Sequence, residues 1–97
     1  MGLFAIVAYD KPNGLEARMA ARSDHLKHLE ALRDSLVLAG PFLDDKGDMN
    51  GSFMVVEAED QAAAEAAFGR DPFITRGVFE SYTIKPWRIS INKTGAK

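Results

Sequence analysis

The residues best suited to chemistry lie in one stretch, Arg18-Met19-Ala20-Ala21-Arg22-Ser23-Asp24-His25-Leu26-Lys27-His28. His25 and His28 are the only two histidines of the chain. Imidazole ionises near cellular pH, so it can take a proton from one group and return it to another. At about 100° per residue, a helix through this stretch carries its apolar stripe over Leu15, Leu26, Leu29 and Leu36. Arg22 falls in the middle of that stripe, with Arg18 and His25 on its flank and His28 towards the expected solvent face. Polar groups set into an apolar stripe need partners, because an unpaired buried charge is expensive. Either they line a cavity, or Arg22 snorkels to water and His25 makes one structural hydrogen bond.

Two further polar residues stand at element ends. Asp71 precedes Pro72, the pattern of a helix cap, and a capping carboxylate keeps the capacity for a second interaction, including one with a histidine. Ser52 follows Gly51 ahead of an apolar run and suits a turn. Other patterns lead nowhere. His25 and His28 lack an accompanying HExxH arrangement, so no metal is expected. The loop Lys46 to Gly51 partly mimics a calcium loop, but Lys46 stands where the first carboxylate belongs and Glu57 falls in a strand. There is no GxGxxG, P-loop or GxSxG, and no cysteine for a nucleophile, a thiolate metal site or a disulfide scaffold. Met19 and Met54 read as core filler and Trp87 as an interface anchor.

The chain that must position these groups has 97 residues, enough for one domain over 1–97. Its 12 basic and 14 acidic residues leave a net charge of -2, with no basic footprint for nucleic acid. No apolar run approaches the ~20 residues of a membrane span. The N-terminus lacks the pattern of a signal peptide, so a cytoplasmic protein is expected. Leu3 to Tyr9 is continuously apolar and reads as a strand buried on both faces. A helix is predicted over Leu15 to Leu38, stopped by Gly40-Pro41, with a short extended piece over Pro41 to Leu43. Phe53 to Val56 reads as the next strand, and Asp60 as the cap of an alanine-rich helix ending at Gly69. Pro72 to Arg76 reads as one helical turn closed by Gly77, Val78 to Ile91 as a strand, and 92–97 as a frayed tail.

The order β-α-β-β-α-β is that of an α+β, ferredoxin-like protomer, an antiparallel four-stranded sheet with two helices on one face. Both faces of the first and third strands are apolar, and the helices cover only one. A homodimer with sheets face to face is therefore predicted.

Taken together, Arg22-x-x-His25-Leu26, Gly40-Pro41, Gly51-Ser52, Asp71-Pro72-Phe73, Gly77-Val78 and Lys85-Pro86-Trp87 resemble the YciI-like family of the dimeric α+β barrel superfamily. The resemblance covers nearly the whole chain in the right order. It implies a ferredoxin-like protomer, a face-to-face dimer and a pocket holding a His–Asp pair, at His25 and Asp71 here; no cofactor is expected. One related group resembles dehydrochlorinases of chlorinated hydroxyhydroquinones. On this reading His25 transfers a proton and Asp71 orients it, while Arg22 and Ser52 bind a small, anionic, cyclic or carbonyl substrate. The alternative is a non-catalytic module that binds a small molecule in the same pocket. A third reading is haem or oxygen chemistry, which other proteins of this superfamily fold perform.

Overall fold

The computed structural model describes residues 1–95. The strands are β1 (Gly2–Asp10), β2 (Leu36–Leu43), β3 (Met49–Ala58) and β4 (Phe79–Trp87), and the helices are α1 (Leu15–Leu32), α2 (Gln61–Gly69) and α3 (Pro72–Thr75). They form one antiparallel sheet of order β2-β3-β1-β4. This is the ferredoxin-like βαββαβ arrangement, with α3 as an added turn. No helix is long and apolar enough to cross a membrane among the described residues.

Alternation along the central strands divides the sheet into two faces. Phe4, Ile6 and Ala8 of β1, with Met54 and Val56 of β3, point at the helices and join Leu29, Phe68, Phe73 and Phe79 in the core. Each of these side chains larger than alanine contributes about 1.5–3 kcal/mol when fully buried. The opposite set, Leu3, Ala5, Val7, Phe53 and Val55, lies on the face that no helix covers.

Helix α1 departs from the expectation in length. It ends at Leu32, a 3-10 turn follows over Arg33–Ser35, and β2 begins at Leu36. Leu36 and Leu38 pair with Val56 and Val55 of β3, so sheet pairing wins over the helical propensity of the leucines. Gly40 and Pro41 accordingly lie inside β2, and Pro41 is tolerated because β2 is an edge strand. The last strand stops at Trp87 rather than Ile91. Of the expected tail, 92–95 is non-helical and outside the sheet, and 96–97 lies outside the described residues.

Two caps were legible. Asp60 accepts a hydrogen bond from the Ala63 N–H at 2.8 Å to start α2, and Asp71 accepts one from the Phe73 N–H at 2.9 Å to start α3. Gly77, at φ +69, then turns the chain from α3 towards β4.

Candidate functional site

The face that α1 buries is Arg18, Ala21, His25 and Leu29. The expected stripe is thus rotated. Leu15, Met19 and Leu26 are half-exposed or nearly so, Arg22 is exposed, and Arg18 is the buried arginine at 2% exposure. His28 also differs from expectation: it is half-buried and lines a small hollow with Asp71 and Phe68. The helix turns inward the residues that find buried acceptors, and this outweighs the leucine count.

Arg18 and His25 each meet a carboxylate from another element. Arg18 forms a two-pronged ion pair with Asp10 at the end of β1, Nε to Oδ2 at 2.7 Å and Nη2 to Oδ1 at 3.0 Å. Both side chains are 3% exposed. The same Nη2 also donates to the Ser52 hydroxyl oxygen on β3 at 2.8 Å. His25 Nδ1 lies 2.8 Å and 2.9 Å from the two carboxylate oxygens of Asp71, 46 positions along the chain. Asp71 is wholly buried, and it caps α3 with the oxygen nearer His25.

Phe73 joins the two pairs. Its ring stacks on the His25 imidazole with centroids 3.8 Å apart, and the Arg18 guanidinium carbon sits 4.5 Å from its centroid. The ring therefore fixes the imidazole plane and offers the guanidinium a favourable aromatic face. A carboxylate held on Nδ1 is an acceptor only, so a neutral His25 carries its proton on Nδ1 and presents a lone pair at Nε2. Nε2 has no partner among the described residues. Among the described residues no buried side-chain nitrogen or oxygen lacks a partner, so this nitrogen is reached from outside.

That access is a cleft between α1 and the inner face of β2 and β3. It has a volume of about 140 Å³, and its lining includes Arg18, Arg22, His25, Leu26, Ser52 and Met54. A closed apolar cavity of about 150 Å³ takes up benzene, so one six-membered ring fits this space. Three of the four residues singled out from sequence line the cleft: Arg22 from its exposed side, His25, and the buried Ser52. Asp71 stands behind His25 and does not line it. Sequence reasoning missed Asp10 and Phe73, and left Arg18 on the flank. The seven-residue interval from Arg18 to His25, two turns of one helix face, was the available signal for Arg18. Asp10, last residue of β1, carried no comparable pattern.

The family described as YCII-related domain matches residues 2–88. Protein YciI of Escherichia coli O6:H1 is 36% identical over 94 residues, 89% of this chain and 96% of that protein. An uncharacterized protein of Haemophilus influenzae is 33% identical over 93 residues, 88% of this chain and 95% of its own. Among solved structures, 5-chloro-2-hydroxyhydroquinone dehydrochlorinase (TftG) from Burkholderia phenoliruptrix AC1100 is complexed with 2,5-dihydroxybenzoquinone. It is similar with a TM-score of 0.82 and 33% identity, covering 89% of this chain and 93% of that one. An antibiotic biosynthesis monooxygenase, 14% identical with a TM-score of 0.57, shares the fold alone. A match over 2–88, with relatives above 30% identity along nearly their full length, places this chain in the YCII-related domain family.

Proposed function

We propose that the chain is a small acid–base enzyme in which His25 Nε2 removes a proton from a one-ring anionic substrate and Asp71 fixes the imidazole for that task. The observation that carries this reading is the fully buried Asp71 carboxylate on His25 Nδ1, at 2.8 Å and 2.9 Å, behind a cleft that His25 lines. The carboxylate sets the tautomer and the orientation of the imidazole, so that Nε2 presents its lone pair to the cleft. The electron pair left on the substrate then forms a new double bond, and a leaving group departs with its own pair or the proton returns elsewhere. Arg22, without an ion-pair partner among the described residues, supplies positive charge at the cleft wall.

The solved relative, a dehydrochlorinase, supports elimination of chloride from a hydroxylated ring as the first reaction to test. Chloride release from 5-chloro-2-hydroxyhydroquinone is the assay. His25→Gln, which keeps the size of the side chain, is expected to lower the rate about 100-fold or more while ligand binding persists. Tight binding of 2,5-dihydroxybenzoquinone without turnover of any one-ring anion would replace the enzyme with a binding module.

The uncovered sheet face supports a second copy as its partner. Leu3, Ala5, Val7 and Phe53 are half-buried there, around the fully buried Val55, across the two central strands. A homodimer through this face is our reading, and sedimentation at micromolar concentration tests it.

A further inference from the structure

The ion pair of Arg18 with Asp10 has a consequence for Ser52. A serine hydroxyl has one proton to donate and lone pairs to accept with. Here a charged guanidinium N–H already points at the Ser52 oxygen from 2.8 Å, held there by two bonds to Asp10 and by the Phe73 ring. No acceptor for the Ser52 proton exists among the described residues, though Ser52 is only 3% exposed and lines the cleft. Donation from a cation also polarises the O–H bond and strengthens the hydrogen bond it can give.

We propose that Asp10 and Arg18 hold Ser52 with its proton turned to the cleft as a hydrogen-bond donor, so that the site selects a ligand presenting an anionic ring oxygen, phenolate or enolate, opposite Ser52. This rests on the acid–base reading of the same cleft and names its substrate class. A ligand hydroxyl that donates to the remaining lone pair of Ser52 leaves the Ser52 proton without an acceptor, whereas a deprotonated oxygen takes that proton's hydrogen bond from a polarised donor, with cationic Arg22 across the cleft on α1. In the reaction the same donor stabilises the enolate-like charge that proton removal by His25 creates, as fixed donors do elsewhere. Asp10 and Arg18 are positioning residues. They act through Ser52.

The test uses the full chain and 4-nitrophenol, whose phenol and phenolate forms differ in visible absorbance. Wild type is expected to bind the phenolate in preference to the phenol. Loss of one charge-assisted hydrogen bond should weaken phenolate binding about ten- to a hundredfold in Ser52→Ala. Ser52→Thr, which keeps the hydroxyl, should retain binding within a few fold, and so confirms that a folded site is being measured. Asp10→Asn should weaken phenolate binding and leave phenol binding unchanged, a split that a merely structural role would not give. The acid–base reading stands or falls on the turnover rate of His25→Gln, and this proposal on the ratio of phenolate to phenol affinity in wild type and Ser52→Ala, so the two fail separately. Preference for the neutral phenol, absence of phenolate binding to wild type at millimolar concentration, or an unchanged affinity in Ser52→Ala would each overturn it.

Discussion

Asp71 can be read as a helix cap or as the partner of His25, and the two roles have separable free energies. Asp71→Ala removes the acceptor for the Phe73 N–H, worth about 0.5–2 kcal/mol as a cap. The lower end applies, because α3 is only four residues long. The same change strands His25 Nδ1, which sits in a side chain only 9% exposed. A buried donor without an acceptor costs about 1–3 kcal/mol. The expected total is about 1.5–3.5 kcal/mol, from a domain whose whole stability is about 5–15 kcal/mol.

His25→Phe is the second arm of a double-mutant cycle, since phenylalanine can keep the stack on Phe73 that the imidazole makes at 3.8 Å. With that substitution in place, Asp71→Ala should cost only the cap, about 0.5 kcal/mol. The coupling between the two sites is then about 1–3 kcal/mol, the cost of the stranded donor. Urea unfolding followed by circular dichroism at one fixed protein concentration gives the four stabilities. An unchanged denaturant slope shows that all four variants unfold alike. A coupling below about 0.5 kcal/mol, the scatter between independent sites, would refute the pairing and leave Asp71 as a cap.

Three further outcomes follow from packing. Phe73→Ala, at a fully buried ring that contacts both His25 and Arg18, should cost about 3–5 kcal/mol in urea and abolish ring-anion binding together with it. Gly51→Ala would place its Cβ 2.6 Å from the Ala8 carbonyl oxygen and 3.0 Å from the Phe42 ring, so about 1–3 kcal/mol of overpacking strain should appear beside Ser52. Val7→Lys, in the middle of the uncovered sheet face, should convert a dimer to monomers by sedimentation while the circular dichroism spectrum of the protomer persists.

The strands and caps were legible because their signals are local. Asp60 and Asp71 cap as their positions imply, and the doubly apolar pattern of β1 and β3 is present on both sheet faces. The end of α1 was not legible. Leu36 fits a helical stripe as well as a strand, and only the pairing with Val56 decides between them. The inward face of α1 was misread for a related reason. Counting leucines assumes that burial follows hydrophobicity, yet Arg18 and His25 are buried while Leu15 and Leu26 are not, because Asp10 and Asp71 wait on other elements. Those carboxylates lie far from α1 or before it in sequence, and nothing local announces them. Ser52 read as a turn residue for the same reason, since its guanidinium donor comes from 34 positions away.

Two of the four residues that α1 buries are ionisable, and each is matched to its own carboxylate. Stability alone gives little reason for this. Buried ion pairs exchanged for apolar residues of similar volume are often neutral or more stable by about 1–4 kcal/mol, whereas removing one partner costs about 3–5 kcal/mol. Asp10→Leu or Arg18→Met alone should therefore be strongly destabilising, by the second figure. Together they should recover most of that loss, because Met can rest against Phe73 and Phe79 where the guanidinium now lies. Urea unfolding of the two single variants and the double variant reads this directly. If the double variant is near wild type in stability but has lost its selectivity for phenolate over phenol, the pair is retained for what it does to Ser52. If the double variant instead shows the sum of the two single losses, the charges are needed to hold β1 against α1, and the case for a chemical purpose built on their burial fails.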